Sequence, residues 1–464
     1  TLPLLNTSES KTFANWRIIP YKITNAVYLY NVTNPAEVEK GQTPIFQELG
    51  PYVFREKRVK ENVKWLAAIN GSDSYETIEY EQVKLWHFVP EESNGTLNDA
   101  IRHLNVPVVT AAKTVKDEGG GWLKYLELNG AILTTGSELF PKHTADELLF
   151  VGYIDKFIKL LETFHVKLPF HKFGWFHGKN ESADGIYRIY SGTSQATNAG
   201  KMYAWNRHRH LNMWSGDVCN SLNDVFHGDL FPPFEDPNPK LIKLWAADLC
   251  RYLRLDFNGT QNLYGVEANR YTVTQSAFNY TMDENKCFCS KDGCPADGLT
   301  DASPCMFGAP IGASLPHFLY ADSAYSSRIE GIEKGDPNHH SFFMDIEPTL
   351  GIPVRFALRM QVNVLLENNK NMKYAKYLKE SIYYPQMWFS VTAEMDEQMS
   401  KQLYLVQHLQ MYINIVASVI LSISVIILIV WIALEVRNHV KKTEETVSYD
   451  TLVDENQLNI NVDT

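Results

Sequence analysis

The chain has 464 residues, 45% of them hydrophobic and 12% aromatic, and a net charge of −11. An excess of acidic groups of that size argues against a nucleic-acid partner, while the apolar content is ample for a large core. The length alone would fit two or three domains. Pro, Gly and Ser are nevertheless scattered, with no low-complexity tract, repeat or linker, so one large irregular body is expected.

Residues 21–90 alternate in short strand-like runs, KITNAVYLYNVT, PYVFREKRVK and YETIEYEQVKLWHFV, punctuated by Asn-Pro, Leu-Gly-Pro and Asn-Gly. Residues 97–165 change texture to a helical cluster. The apolar segment WLKYLELNGAIL is followed by Phe150, Tyr153, Ile154, Phe157, Leu160, Leu161 and Phe164 at helical spacing, with Asp155, Lys156, Lys159 and Glu162 between them. That spacing predicts one amphipathic helix. From about Gly174 to Val391 the strand texture returns in DGIYRIYSGT, EANRYTVTQS and VRFALRMQVNVLL, and a helical stretch over Glu394–Gln410 follows.

Met411–Leu434 is an uncharged run, MYINIVASVILSISVIILIVWIAL. As a helix it is about 36 Å long, enough for a hydrocarbon core of about 30 Å, where only a helix satisfies the backbone of a single span. Arg437, His439, Lys441 and Lys442 follow it, whereas Lys401 is the only Lys or Arg in the twenty residues before it. The positive-inside bias then makes 435–464 a cytoplasmic tail and 1–410 an extracellular or lumenal region. The sequons at Asn6, Asn31, Asn70, Asn94, Asn180, Asn258 and Asn279 and all six cysteines fall in that outer region. Disulfides are allowed there. The segment before Thr1 is read as a cleaved signal peptide or an uncleaved first membrane helix.

Cys219, Cys250, Cys287, Cys289, Cys294 and Cys305 lack the paired-knuckle spacing of zinc sites, so three disulfides are expected, with fifteen pairings open. No HExxH, GxSxG or P-loop sequence is present, and no enzyme activity, metal or cofactor is expected. Arg207-His208-Arg209-His210 reads as an exposed turn, His339-His340 as a polar loop and His317 as a residue packed in the body. In the tail, Tyr449 with Leu452 three places on has the form of a tyrosine-based sorting signal, in surroundings that suit a disordered segment.

Several segments, in order, resemble the class B scavenger receptor family, the group of fatty acid translocase and the type 2 lysosomal integral membrane protein. They are NVTNPAEV (Asn31–Val38), LGPYVFRE (Leu49–Glu56), ADELLFVGY (Ala145–Tyr153), ADGIY (Ala183–Tyr187), CFC (Cys287–Cys289), LPHFLYAD (Leu315–Asp322), DIEPTLG (Asp345–Gly351) and RMQVN (Arg359–Asn363). The resemblance implies an α+β fold: a large antiparallel β-barrel-like ectodomain, a membrane-distal helical bundle, an internal hydrophobic tunnel and a second membrane anchor before Thr1. It implies the pairs Cys219–Cys287, Cys250–Cys305 and Cys289–Cys294. It also implies ligand capture on the stretch from Lys116 to Phe164, where Leu133, Leu139, Phe140 and Phe150 are the candidate lipid-entrance residues. The lysine pair that fatty-acid-binding members carry just before the segment matching LFPKHTADELL is replaced here by TTGSE (Thr134–Glu138), with Lys142 and His143 as partial substitutes. That departure shifts the expected ligand toward a neutral lipid (sterol, carotenoid or glyceride, beside fatty acid).

The expected function is a scavenger receptor at the plasma membrane, cycling through endosomes or lysosomes. It binds lipids or lipoproteins and passes lipid to the bilayer. The expected partners are those ligands, the membrane, a clathrin adaptor on the tail and a second copy of the chain. Alternatives are a lysosomal sorting receptor whose apical helices hold a hydrolase, and a recognition receptor for apoptotic cells or microbes.

Overall fold

The computed structural model describes residues 10–67, 76–163, 171–234, 239–289 and 293–460. Asn6, Asn70, Phe164 and the Leu452 side chain lie outside the described residues. The chain divides into two compact units, Thr1–Glu397 and Gln398–Thr464.

The first unit is built on one fourteen-stranded sheet. Its strands follow the spatial order Met202–Trp205, Ser182–Tyr190, Thr77–Phe88, Phe46–Leu66, Ile23–Val32, Ile382–Glu394, Ile352–Leu366, Phe343–Glu347, Val266–Thr272, Arg251–Leu263, Leu241–Ala246 and Val225–Phe226. Leu299–Asp301 and Ile311–Ser314 join at the side of Ile352–Leu366. Every pairing is antiparallel except that of Val225–Phe226 with Leu241–Ala246. The two edges meet. Lys201 bridges Phe226, and the His227 N–H donates to the Gly200 carbonyl at 3.1 Å, so the sheet is nearly closed and its edge groups find partners.

The strand period decides the faces. In Ile23–Val32 the buried positions alternate along ITNAVYLYNV, as a one-sided strand requires. Its partner on one side is the far end of the unit: Ile23 pairs Ala393 and Leu29 pairs Met387. Contacts across such a sequence distance have no local signature.

Inserted between strands are the helices Val106–Asp117, Trp122–Thr135 and Lys156–Thr163, each touching the other two. Asn105 caps the first by accepting the Val108 N–H. Gly136, at φ 63°, ends the second in the left-handed region that favours glycine. The single helix predicted through Phe150–Phe164 is instead split. Glu147–Val151 forms one wide turn, Gly152 leaves it at φ 74°, Tyr153 pairs with Phe173, and a new helix starts at Lys156. Asp155 is therefore not a solvent-facing residue. It is buried, accepting from Asn105 Nδ2 at 2.8 Å, Ser137 Oγ at 2.9 Å and the Phe157 N–H at 2.7 Å, which ties the helix ends together. A short two-stranded sheet, Ala100–Arg102 with Lys142–Thr144, also lies in what reads from sequence as a helical stretch.

Disulfides join Cys219 to Cys287, Cys250 to Cys305 and Cys289 to Cys294. The first two flank a second, smaller core around Trp214, Tyr252 and Phe288.

In the second unit the apolar run belongs to a helix, Leu409–Ile460, that is long and apolar enough to cross a membrane. It does not stop at Leu434, and the tail expected to be disordered is helical as far as Ile460. Among 411–434 every side chain is exposed, as a lipid-facing span requires. Tyr449 is exposed on the same helix.

Candidate functional site: an internal cavity with two unlike walls

The nearly closed sheet encloses a cavity of about 490 Å³, within the range of about 300–1,000 Å³ that holds small organic ligands. One wall is apolar and follows from strand alternation. Phe356, Leu358, Met360 and Val362 are successive same-face residues of Ile352–Leu366, and Met387, Phe389 and Val391 are those of its neighbour Ile382–Glu394. Met344 from Phe343–Glu347 extends the surface. The unbranched methionines adapt to irregular apolar shapes.

The other wall is charged, and the same alternation produces it. Glu56, Arg58 and Lys60 share a face of Phe46–Leu66, opposite Trp86, Lys84 and Gln82 of Thr77–Phe88. The Arg58 Nε donates to Glu56 Oε1 at 2.5 Å, and the Trp86 indole donates to Glu56 Oε2 at 2.8 Å. Lys84 pairs with Asp184 at 2.8 Å, and Lys179 with Asp248 at 3.0 Å. Lys60, fully buried, pairs with Asp229 at 2.6 Å, donates to the Trp16 carbonyl at 2.9 Å and lies 5.0 Å from the Trp16 ring. His227 Nδ1 approaches Asp229 at 3.4 Å.

These contacts decide the ionisation. Burial alone would raise the Asp229 carboxyl, but Lys60, His227 and Arg58 outweigh it and hold it well below the ordinary carboxylate range. Burial opposes ionisation of Glu56 as well, and Arg58 and Lys84 again win. Arg58 is pushed up: burial disfavours its charge, but Glu56 and Asp229 more than compensate. Lys179 holds Asp248 low, and this last pair is exposed. The wall is thus a paired ionic network, the form in which buried charge is tolerated.

The four predicted lipid-entrance residues are not brought together, and none lines the cavity. Leu133 is exposed on Trp122–Thr135, beside exposed Trp122, Leu123 and Leu126. Leu139 and Phe140 are buried in the main core, the Phe140 ring 5.9 Å from Tyr384. Phe150 sits half-buried in an aromatic group with Phe54, Trp86 and Phe176, its ring 4.9 Å from Phe54. Lys142 is exposed. His143 stacks on Tyr153 at 3.7 Å and meets His103 at 2.9 Å, and burial with the neighbouring His143 lowers His103 to about 3.

Of the sequons, Asn94, Asn180 and Asn258 are exposed, and Asn31 and Asn279 are partly so. Arg207, His208, Arg209 and His210 are exposed, with Arg209 and Arg188 on the Tyr203 ring at 4.4 and 4.3 Å. His317 is buried, 2.7 Å from Glu48 Oε2, which also accepts from the Trp388 indole at 2.9 Å. His340 stacks on His317 at 4.1 Å, and burial beside the neighbouring His317 lowers its pKa to about 4. Among the described residues no group of three His, Cys, Asp or Glu is placed to hold a metal ion.

Arg58, Gln82, Lys84, Asp184 and Asp229 escaped the sequence reading. The one available signal was the dense charge of REKRVK inside a strand-like run, where a solvated face is the ordinary explanation.

A nearly closed antiparallel sheet around an apolar-walled cavity and, in the second unit, a helix long and apolar enough to cross a membrane fit a membrane-anchored receptor. The chain belongs to the CD36 family, whose model matches residues 2–434. It is 31% identical over 391 residues to scavenger receptor class B member 1 of Rattus norvegicus, covering 83% of this chain and 74% of that protein. To lysosome membrane protein 2 of Mus musculus it is 31% identical over 430 residues, 91% of this chain and 86% of the relative. Scavenger receptor class B member 1 of Bos taurus matches over 444 residues at 28% identity, 93% of this chain and 83% of that protein.

Proposed function

We propose that this chain is a membrane-anchored scavenger-type receptor that takes up lipids or lipoproteins and passes a neutral lipid through the interior of its barrel to the bilayer. The observation that carries the reading is the cavity itself, about 490 Å³ with an apolar wall from Phe356 to Val362 and from Met387 to Val391. Loading is driven by removal of apolar surface from water, about 25 cal/mol per Å², and needs no covalent chemistry. The outer region 1–410, the span 411–434 and the cytoplasmic tail 435–464 belong to this reading, as do glycans on the exposed sequons. So does recruitment of an adaptor by Tyr449.

Leu358→Trp tests it. Leu358 is half-buried and borders the cavity, so the indole fills open space instead of the core. Cells expressing this variant at the normal surface level should lose uptake of labelled neutral lipid; undiminished uptake would sink the reading.

A second reading is favoured by the exposed Trp122, Leu123, Leu126 and Leu133, which give one helix an apolar surface suited to a protein partner. In that case the chain is a sorting receptor at the lysosomal membrane. A hydrolase recovered with the native chain, and lost in Trp122→Ser/Leu126→Ser, would reverse the ranking.

A further inference from the structure

The ion pairs of the charged wall balance, and Lys172 stands on the cavity lining beside them. Four cations, Arg58, Lys60, Lys84 and Lys179, are matched by four carboxylates, Glu56, Asp184, Asp229 and Asp248. This balance is reached although Arg58 stands directly opposite Lys84 in the sheet, a like-charge pairing that destabilises strands. What the network leaves open is hydrogen bonding. The Arg58 guanidinium donates through Nε alone; Nη1 and Nη2 have no partner among the described residues. Gln82 is only 5% exposed, and its Oε1 is buried with no partner. Asp184 Oδ1 is buried and makes no well-formed hydrogen bond, although the Tyr187 hydroxyl stands close to this carboxylate. All three residues line the cavity. Unsatisfied buried polar groups are uncommon in native proteins, and here two buried acceptors are left over on the wall that carries the Arg58 guanidinium. The Arg58 guanidinium carbon lies 5.9 Å from the Phe356 ring, where the charged wall meets the apolar one.

We propose that this place seats the head of a lipid alcohol, whose oxygen accepts from the Arg58 guanidinium while its O–H donates to Gln82 Oε1 or Asp184 Oδ1. The hydrocarbon body then lies along Phe356, Met360 and Phe389. The proposal rests on the reading of the cavity as a lipid site and adds the chemical class of the lipid. A hydroxyl is both donor and acceptor, which the leftover groups require. An ester offers acceptors only and leaves Gln82 and Asp184 unpaired. A carboxylate also offers acceptors only, so it leaves Gln82 Oε1 unpaired, and it stands beside the carboxylates of Asp184 and Asp229. Sites built to hydrogen-bond a hydroxyl reject analogues lacking it far more strongly than an apolar pocket discriminates by shape.

The test uses the full chain, delipidated in detergent, with tritiated oleyl alcohol displaced by oleyl alcohol, methyl oleate or oleic acid. These share one hydrocarbon chain and differ in the head. Oleyl alcohol should displace at least about tenfold better than either analogue. In Gln82→Leu and in Arg58→Gln that advantage should shrink to about twofold, with methyl oleate binding retained. Equal displacement by all three on the unaltered chain overturns the hydroxyl site and leaves the lipid reading standing, with water filling the polar wall. Tighter binding of oleic acid also overturns it. If none of the three binds, the lipid reading falls with it. Should neither variant fold, the series on the unaltered chain still decides the question.

Discussion

The two walls of the cavity arise from the same strand alternation and are held in place by opposite physics. On Ile352–Leu366 the inward residues Phe356, Leu358, Met360 and Val362 need only be kept from water, and each makes its contribution through area. On Phe46–Leu66 Arg58 lines the cavity, and Glu56 and Lys60 are buried on the same face and stable only because each is paired: Glu56 with Trp86 and Arg58, Lys60 with Asp229. An apolar wall degrades gradually when a residue is trimmed. A charged wall fails when one partner goes, because the other remains buried and unpaired.

Lys60→Met should break this contrast most severely. It leaves Asp229 ionised against a methyl group, and urea unfolding should show a loss of about 3–5 kcal/mol. Lys60→Met/Asp229→Leu should recover most of that; no recovery would mean the pair is not what holds this wall. Met360→Ala on the apolar side should lose about 2 kcal/mol, the low end for a buried methionine, because its side chain already borders open space. A loss near 5 kcal/mol would place Met360 in tight packing instead.

pH separates the walls further. Glu56 and Asp229 have folded pKa values below their ordinary 4.5 and 3.8. For a lowered carboxylate the stabilisation is present above the ordinary value and disappears as pH falls through it toward the folded value. The unfolding midpoint should therefore fall below about pH 4.5 and fall less steeply in Asp229→Asn. Met360→Ala should track the unaltered chain at a constant offset, and a steeper acid loss in it would blur the division between the walls. Leu133→Asp, on an exposed helix face, should change stability by about 0.5 kcal/mol or less. If lipid uptake falls while stability holds, that helix takes part in capture.

Particular residues show where the sequence was legible. Met411–Leu434 and the alternating runs at 21–90 are local patterns, and the structure has an apolar helix and strands there. The helix through Phe150–Phe164 misled because its apolar spacing survives a break: Gly152 supplies the turn, and Asp155 faces three donors rather than water. Leu139 and Phe140 make a related point. An apolar residue in a helical cluster carries no mark of whether it faces solvent or a core assembled from distant strands, and Tyr384 supplied that core.

By itself the sequence determined a membrane-capable helix, a β-rich body with helices inserted, and cysteines confined to one region, since each depends on composition or on a period of a few residues. Tertiary structure decided that Ile23–Val32 lies against Ile382–Glu394, that the edges meet at Lys201 and Phe226, and that Arg58 of REKRVK faces a cavity with Glu56 and Lys60 buried on the same strand face. The physical reason is that a strand's period fixes which residues share a face, while what that face meets is set only when distant strands close the sheet.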